Sequence, residues 1–163
     1  MRGAWLVALA LAGCAAQPEP PRPEPKFDAI AFFSGRTQGK GIIDPLLGAD
    51  KALRVDSVGF ADRGGILLVQ RIREGTKPAR IRRWRLKAIG AGRYGGWLTD
   101  AEGPVDGEVE GNRLTIRYAT PSGLGFEQWL TLRPDRRTVR NQMTIRKWGV
   151  PLATVDETIR KLD

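Results

Sequence analysis

The chain is 163 residues long, with 27 Lys and Arg against 18 Asp and Glu, a formal net charge of +9, one Cys and no His. The absence of His removes Ser-His-Asp and Cys-His catalysis and the commonest zinc ligand, and a lone Cys forms no disulfide within the chain. About 137 residues remain once a targeting segment and a proline-rich segment are set aside, enough for one domain with one core.

The chain opens on Met1-Arg2, continues with an apolar run from Gly3 to Leu11, and reaches Leu11-Ala12-Gly13-Cys14. A charged start, a greasy middle and a small-residue cleavage site make residues 1–13 a signal peptide. Its uncharged stretch, Gly3 to Gln17, is 15 residues, short of the ~20 that span a hydrocarbon core as a helix. The ending resembles the lipobox of bacterial lipoproteins, which implies acylation of Cys14 and cleavage just before it. Ala15 follows, where inner-membrane lipoproteins carry Asp, so the resemblance implies the periplasmic side of the outer membrane. Without Arg2 the chain keeps 26 basic against 18 acidic residues. Outside the cytoplasm, lipid headgroups or acidic glycans are the anions such a surface meets, rather than nucleic acid.

Residues 14–26 carry prolines at 18, 20, 21, 23 and 25. Such a segment adopts extended polyproline II at about 3.1 Å per residue and reads as a spacer of up to roughly 30 Å. From Phe27 to the C-terminus the pattern changes to short runs separated by Gly, Pro, Asp or Asn, which signals antiparallel strands. The predicted strands are Phe33 to Ile43, Leu53 to Phe60, Ile66 to Glu74, Ala79 to Ile89, Tyr94 to Thr99, Val105 to Glu110, Leu114 to Ala119, Phe126 to Arg133, Thr138 to Trp148, and one within Leu152 to Lys161. Trp84-Arg85-Leu86-Lys87-Ala88 and Leu114-Thr115-Ile116-Arg117-Tyr118 alternate apolar and polar residues, as a sheet with one wet face requires.

Turn chemistry agrees: Asp62-Arg63-Gly64-Gly65, Gly90-Ala91-Gly92, Gly111-Asn112 and Pro134-Asp135 supply the backbone angles of tight connections. Two stretches are compatible with helix. Asp44-Pro45 offers a cap and a first-turn proline, and Leu152, Val155, Ile159 and Leu162 fall at helical spacing, although a strand is preferred there. About ten short strands without long crossovers avoid free sheet edges by closing into a single antiparallel up-and-down β-barrel. Residues 27–163 are therefore expected to form an all-β, lipocalin-like barrel of about 8–10 strands, filled or with room for one small ligand.

No nucleophile or phosphate-loop motif is present and nothing calls for a cofactor, so the sequence reads as non-enzymatic. The acidic cluster Asp100, Glu102, Asp106, Glu108 and Glu110 lacks calcium-loop spacing and matches a solvated strand face. Arg80, Arg82, Arg83, Arg85 and Lys87 share one predicted strand. By alternation Arg83, Arg85 and Lys87 lie on one face and Trp84 on the other. The basic residues protect the exterior of the barrel or approach anionic lipid. Trp84, Trp97, Trp129, Trp148, Tyr94, Tyr118 and Phe126 supply rings for a core or a pocket.

Phe32-Phe33-Ser34-Gly35-Arg36-Thr37-Gln38-Gly39-Lys40-Gly41, Arg83-Trp84-Arg85-Leu86, Tyr94-Gly95-Gly96, Asp100-Ala101-Glu102-Gly103, Gly111-Asn112, Trp129-Leu130-Thr131-Leu132, Asn141-Gln142-Met143 and Lys147-Trp148-Gly149 together resemble a family of bacterial lipoproteins with no assigned activity. The opening with Phe33 and Gly35 is loosely similar to that of lipocalin barrels. The resemblance implies location and fold, and offers no catalytic residues.

Two functions follow as expectations. In the first, a barrel anchored to the membrane through Cys14 carries a lipophilic ligand or acyl chain, with Arg36, Trp84, Trp97, Tyr118 and Trp129 as ligand contacts. In the second, a solid barrel docks on anionic lipid or a protein partner through its basic exterior.

Overall fold

The computed structural model describes residues 17–163. The signal peptide and Cys14 lie outside the described residues. One short helix, α1 (Ala29–Phe33), precedes ten strands: β1 (Gly35–Pro45), β2 (Lys51–Asp62), β3 (Gly65–Glu74), β4 (Arg80–Gly90), β5 (Arg93–Leu98), β6 (Glu102–Glu110), β7 (Arg113–Ala119), β8 (Leu124–Leu132), β9 (Thr138–Lys147) and β10 (Val150–Lys161).

Each strand pairs antiparallel with its sequence neighbour, and β1 pairs with β10 from Thr37↔Lys161 to Pro45↔Ala153, closing the barrel. Every predicted strand is present, with ends one to a few residues from expectation. Asp44 and Pro45 belong to β1 rather than to a helical turn. The C-terminal segment is a strand because its buried positions, Val155, Glu157 and Ile159, recur every second residue. The outer face of β4 carries Arg83, Arg85 and Lys87, and its inner face carries buried Trp84 and Leu86.

At one end the barrel is plugged. Helix α1 packs Ala29, Phe32 and Phe33, with the preceding Phe27, against Ile66, Leu86, Tyr94 and Leu114. Five residues make too short a helix to persist alone, and both of its ends are held by side chains. Asp28 accepts a hydrogen bond from Ala31 N at 3.0 Å, and Lys161 Nζ, from the end of β10, donates to the carbonyls of Ala31, Phe32 and Ser34. Gly59 admits the plug, since a Cβ there would overlap the Phe33 carbonyl.

The proline-rich segment is not a free spacer from residue 17 onward. Glu19 is clamped by Arg133 (2.8 and 2.9 Å) and Arg140 (2.6 Å), Gln142 Nε2 donates to the Gln17 carbonyl, and Asn112 exchanges two hydrogen bonds with the Arg22 backbone. Polyproline II leaves its carbonyls unpaired and free to accept from the wall. This strap descends from Gln142, midway along β9, to Gly111 at the plugged end, where Phe27 N donates to the Gly111 carbonyl.

Candidate functional site

The interior is hollow between the plug and the opposite, open end. An outer chamber of about 230 Å³ is lined by Ile43, Leu53, Ile72, Phe126, Met143 and Val155, among others, and reaches Glu74 and Arg80 at the rim. An inner chamber of about 50 Å³ lies against Ala29, Phe33, Ile66 and Leu68 above the plug. Val55, Arg82, Gln128, Asn141 and Glu157 line both, and the last four form a polar girdle between two apolar compartments.

Alternation builds this girdle, as inward positions on five strands of otherwise apolar phase carry polar side chains at one level. On β3, buried Gln70 accepts from Trp84 Nε1 at 2.7 Å and from Arg82 Nε and Nη2 at 3.1 and 3.0 Å, while its Nε2 donates to Ser57 Oγ at 3.3 Å. The Arg82 guanidinium stands 5.2 Å from the centre of the Trp84 ring. Trp84 meets Tyr118 edge-on, and Tyr118 stacks on Phe126 at 4.7 Å. Gln128 Nε2 donates to Tyr118 Oη at 3.4 Å.

Opposite this network, Asn141 Nδ2 donates to Glu157 Oε2 at 2.9 Å. Asn141 and Glu157 are 6% and 5% exposed, and each keeps one oxygen, Asn141 Oδ1 and Glu157 Oε1, buried without a hydrogen-bond partner. A Cβ at Gly39 would overlap Glu157 Oε1, so this glycine makes room for the carboxyl. Burial raises the Glu157 pKa above the usual carboxylate range, against the lowering effects of the Asn141 hydrogen bond and the Arg82 charge. Burial also lowers the Arg82 pKa, yet a guanidinium stays protonated in proteins. Arg82 is in ion-pair contact with no carboxylate among the described residues; its bonds run to the Gln70 amide.

The residues expected to contact a ligand divide by strand phase. Trp84 and Tyr118 point inward and are 4% and 6% exposed. Arg36, Trp97 and Trp129 cannot line the interior, because each alternates with inward residues: Arg36 lies on the outer wall near Asp163, Trp97 is 47% exposed, and Trp129 sits between buried Gln128 and Leu130. Sequence reasoning missed Arg82, Gln70, Gln128, Asn141 and Glu157. For Arg82 the signal was its phase, two residues before the inward Trp84. The acids Asp106, Glu108 and Glu110 occupy the outer face of β6, and no acidic or Cys group suited to a metal is present among the described residues.

Comparison with solved structures shows the same fold in the S-type phycobiliprotein lyase CPES from Guillardia theta, with a TM-score of 0.63, 4% sequence identity, and coverage of 82% of this chain and 91% of that one. No curated protein matches the chain. The family model described as "Protein of unknown function (DUF3833)" matches residues 8–161, ending with the last residue of β10, and the chain belongs to that family.

Proposed function

We propose that this protein is a lipid-anchored envelope carrier, non-enzymatic, whose barrel holds a lipophilic ligand between the plug and the open end. The hollow interior carries this reading. A filled barrel would gain packing energy from every cavity it closed, whereas here an apolar outer chamber stays open above a girdle with unpaired polar atoms. A barrel docking only through its exterior needs no such space, and many of its outward cations are already paired, as in Arg85–Asp62, Arg117–Glu127 and Arg140–Asp156.

Anchoring through Cys14, on the periplasmic side of the outer membrane, fits the direction of the strap. Going back along the sequence, the strap climbs from the plugged end to Gln142. Cys14 precedes Gln17 by three residues, a reach of at most ~11 Å. The open end lies about 17 Å beyond Gln142, at ~3.3 Å for each residue to Lys147. The exposed Leu46, Leu47, Trp148 and Val150 stand at that end on adjacent connections, joined by the hydrogen bond from Leu46 N to the Leu152 carbonyl. An acyl anchor on Cys14 would bring these apolar tips, and the mouth beside them, to the bilayer.

Native mass spectrometry of the full chain purified from membranes tests the carrier reading. One amphiphile-sized adduct, released by organic extraction, is the expected result. A chain that carries no adduct and takes up no added lipid overturns it.

A further inference from the structure

The girdle specifies more than an apolar ligand. We infer that the chamber is a site for an amphiphilic monocarboxylate of the fatty-acid type, bound head-inward with its carboxylate on Arg82 and its tail along the outer chamber. This deepens the carrier reading and rests on it.

Arg82 supplies the charge. It has five N–H donors, and Gln70 engages only Nε and one donor of Nη2. Nη1 and the second Nη2 hydrogen remain for a ligand, a spacing suited to a planar carboxylate. An arginine inside a barrel without a counter-ion costs energy unless something pairs with it. The other polar girdle residues lining the chambers, Gln70, Gln128 and Asn141, are neutral, and Arg80 at the rim is already paired with Glu74 and Asp100.

Glu157 sets the number of charges. Glu157 lines the same chamber as Arg82, and its Oε1, packed against Gly39, is buried without a partner. A ligand carboxylate beside it favours the protonated side chain, whose O–H then donates to the ligand. One guanidinium, one ligand anion and one neutral Glu157 give a balanced site. A dianionic phosphate monoester would leave a charge uncompensated against these acceptors.

The compartments set the direction. The apolar volume below the girdle is about 50 Å³, and that above it about 230 Å³, lined by Ile43, Leu53, Ile72, Met143 and Val155. Only the upper compartment takes a chain of many methylenes, so the head sits deep and the tail points to the mouth. Trp84, which lines the inner chamber with the Arg82 guanidinium 5.2 Å from its ring centre, borders the head region, and Tyr118 packs behind it.

Calorimetric titration of the delipidated full chain in nanodiscs, with dodecanoate and with dodecanol, separates this inference from the carrier reading. The two probes share a tail and differ in the head. Dodecanoate is expected to bind about tenfold more tightly than dodecanol or better, the gain of a charge-assisted bidentate pair. Arg82→Gln should erase that preference by weakening dodecanoate binding. Equal binding of the two probes to the unaltered chain, or a preference that survives Arg82→Gln, overturns the carboxylate site while the carrier reading stands. Binding of neither probe overturns both. The acid-to-alcohol ratio of the unaltered chain decides the matter even if Arg82→Gln fails to fold.

Discussion

Glu157 is a carboxyl that folding pushes towards its protonated form. Its pKa is raised because burial penalises the ionised form more than Asn141 and Arg82 favour it. The folded state therefore holds this proton to higher pH than the unfolded chain does. Stability attached to Glu157 is full below the unfolded carboxylate range and is lost as pH rises through the folded value. Glu157→Gln keeps an acceptor for Asn141 and removes the charge. It should match the unaltered chain at pH 4 and melt higher at pH 8, by about 2–4 °C for each kcal/mol gained. Thermal unfolding at the two pH values checks this, and an equal Tm difference at both would show that ionisation is not the cause. Arg82 lines the same chamber and Tyr118 packs edge-on against Trp84 beside it, but neither changes charge between those pH values, since burial raises the tyrosine pKa and the other group is a guanidinium. Arg82 shows how a sequence conceals such a site. Its strand is crowded with basic residues, and charge composition favours the exterior for all of them, while alternation with Trp84 and Leu86 puts this one inside. Trp97 and Trp129 err the other way, since aromatic character suggests a pocket and strand phase sends both outward.

Among the elements, the ten strands are legible because each declares itself locally, through period-2 burial and turn residues at its ends. Helix α1 does not. Its cap on Asp28 is local, but Lys161, which satisfies its last carbonyls, lies at the far end of the chain, and no window of sequence contains both. The strap is half legible: its prolines announce an extended path, yet its docking depends on Glu19 meeting Arg133 and Arg140, over a hundred residues away. That clamp makes the strap pH-sensitive. Hydrogen bonds from Arg133 and Arg140 lower the Glu19 pKa to about 2, from a model-compound value of 4.5. Its contribution is complete above pH ~4.5 and is lost as pH falls towards 2. Because the carboxylate is a third exposed, solvent screening leaves about 1 kcal/mol of the clamp. Glu19→Gln should therefore speed hydrogen exchange of residues 17–22 several-fold at pH 7, with little change in the strands. Unaltered exchange there would mean that Gln142 and Asn112 hold the strap without the clamp.

At the scale of the whole molecule, the two ends of the barrel are chemically distinct. The plugged end is tied down by the strap and Lys161; the open end exposes Leu47 at 86% and Trp148 at 89%, with Lys147 Nζ 4.9 Å from the Trp148 ring centre. Apolar tips beside a lysine suit the interface of an anionic bilayer. If that end meets the membrane, the Cys14→Ser chain, which cannot carry the proposed anchor, should still cosediment weakly with vesicles containing anionic lipid. Adding Leu47→Asp and Trp148→Asp should reduce that binding at least tenfold, because each buried apolar side chain contributes about 1.5–3 kcal/mol. Binding that survives both substitutions would assign the contact to the basic stripe on β4.

If the barrel carries a ligand as proposed, closure of the wall also governs how that cargo is exchanged. With β1 hydrogen-bonded to β10 along nine residue pairs, the wall is paired all the way round, and a guest leaving sideways would have to part a strand ladder. Traffic has to run along the axis, past the loop between β1 and β2 and the hairpin between β9 and β10. The rate of loading is then set by how fast a few residues at the rim swing aside, and the barrel itself stays shut while its contents change.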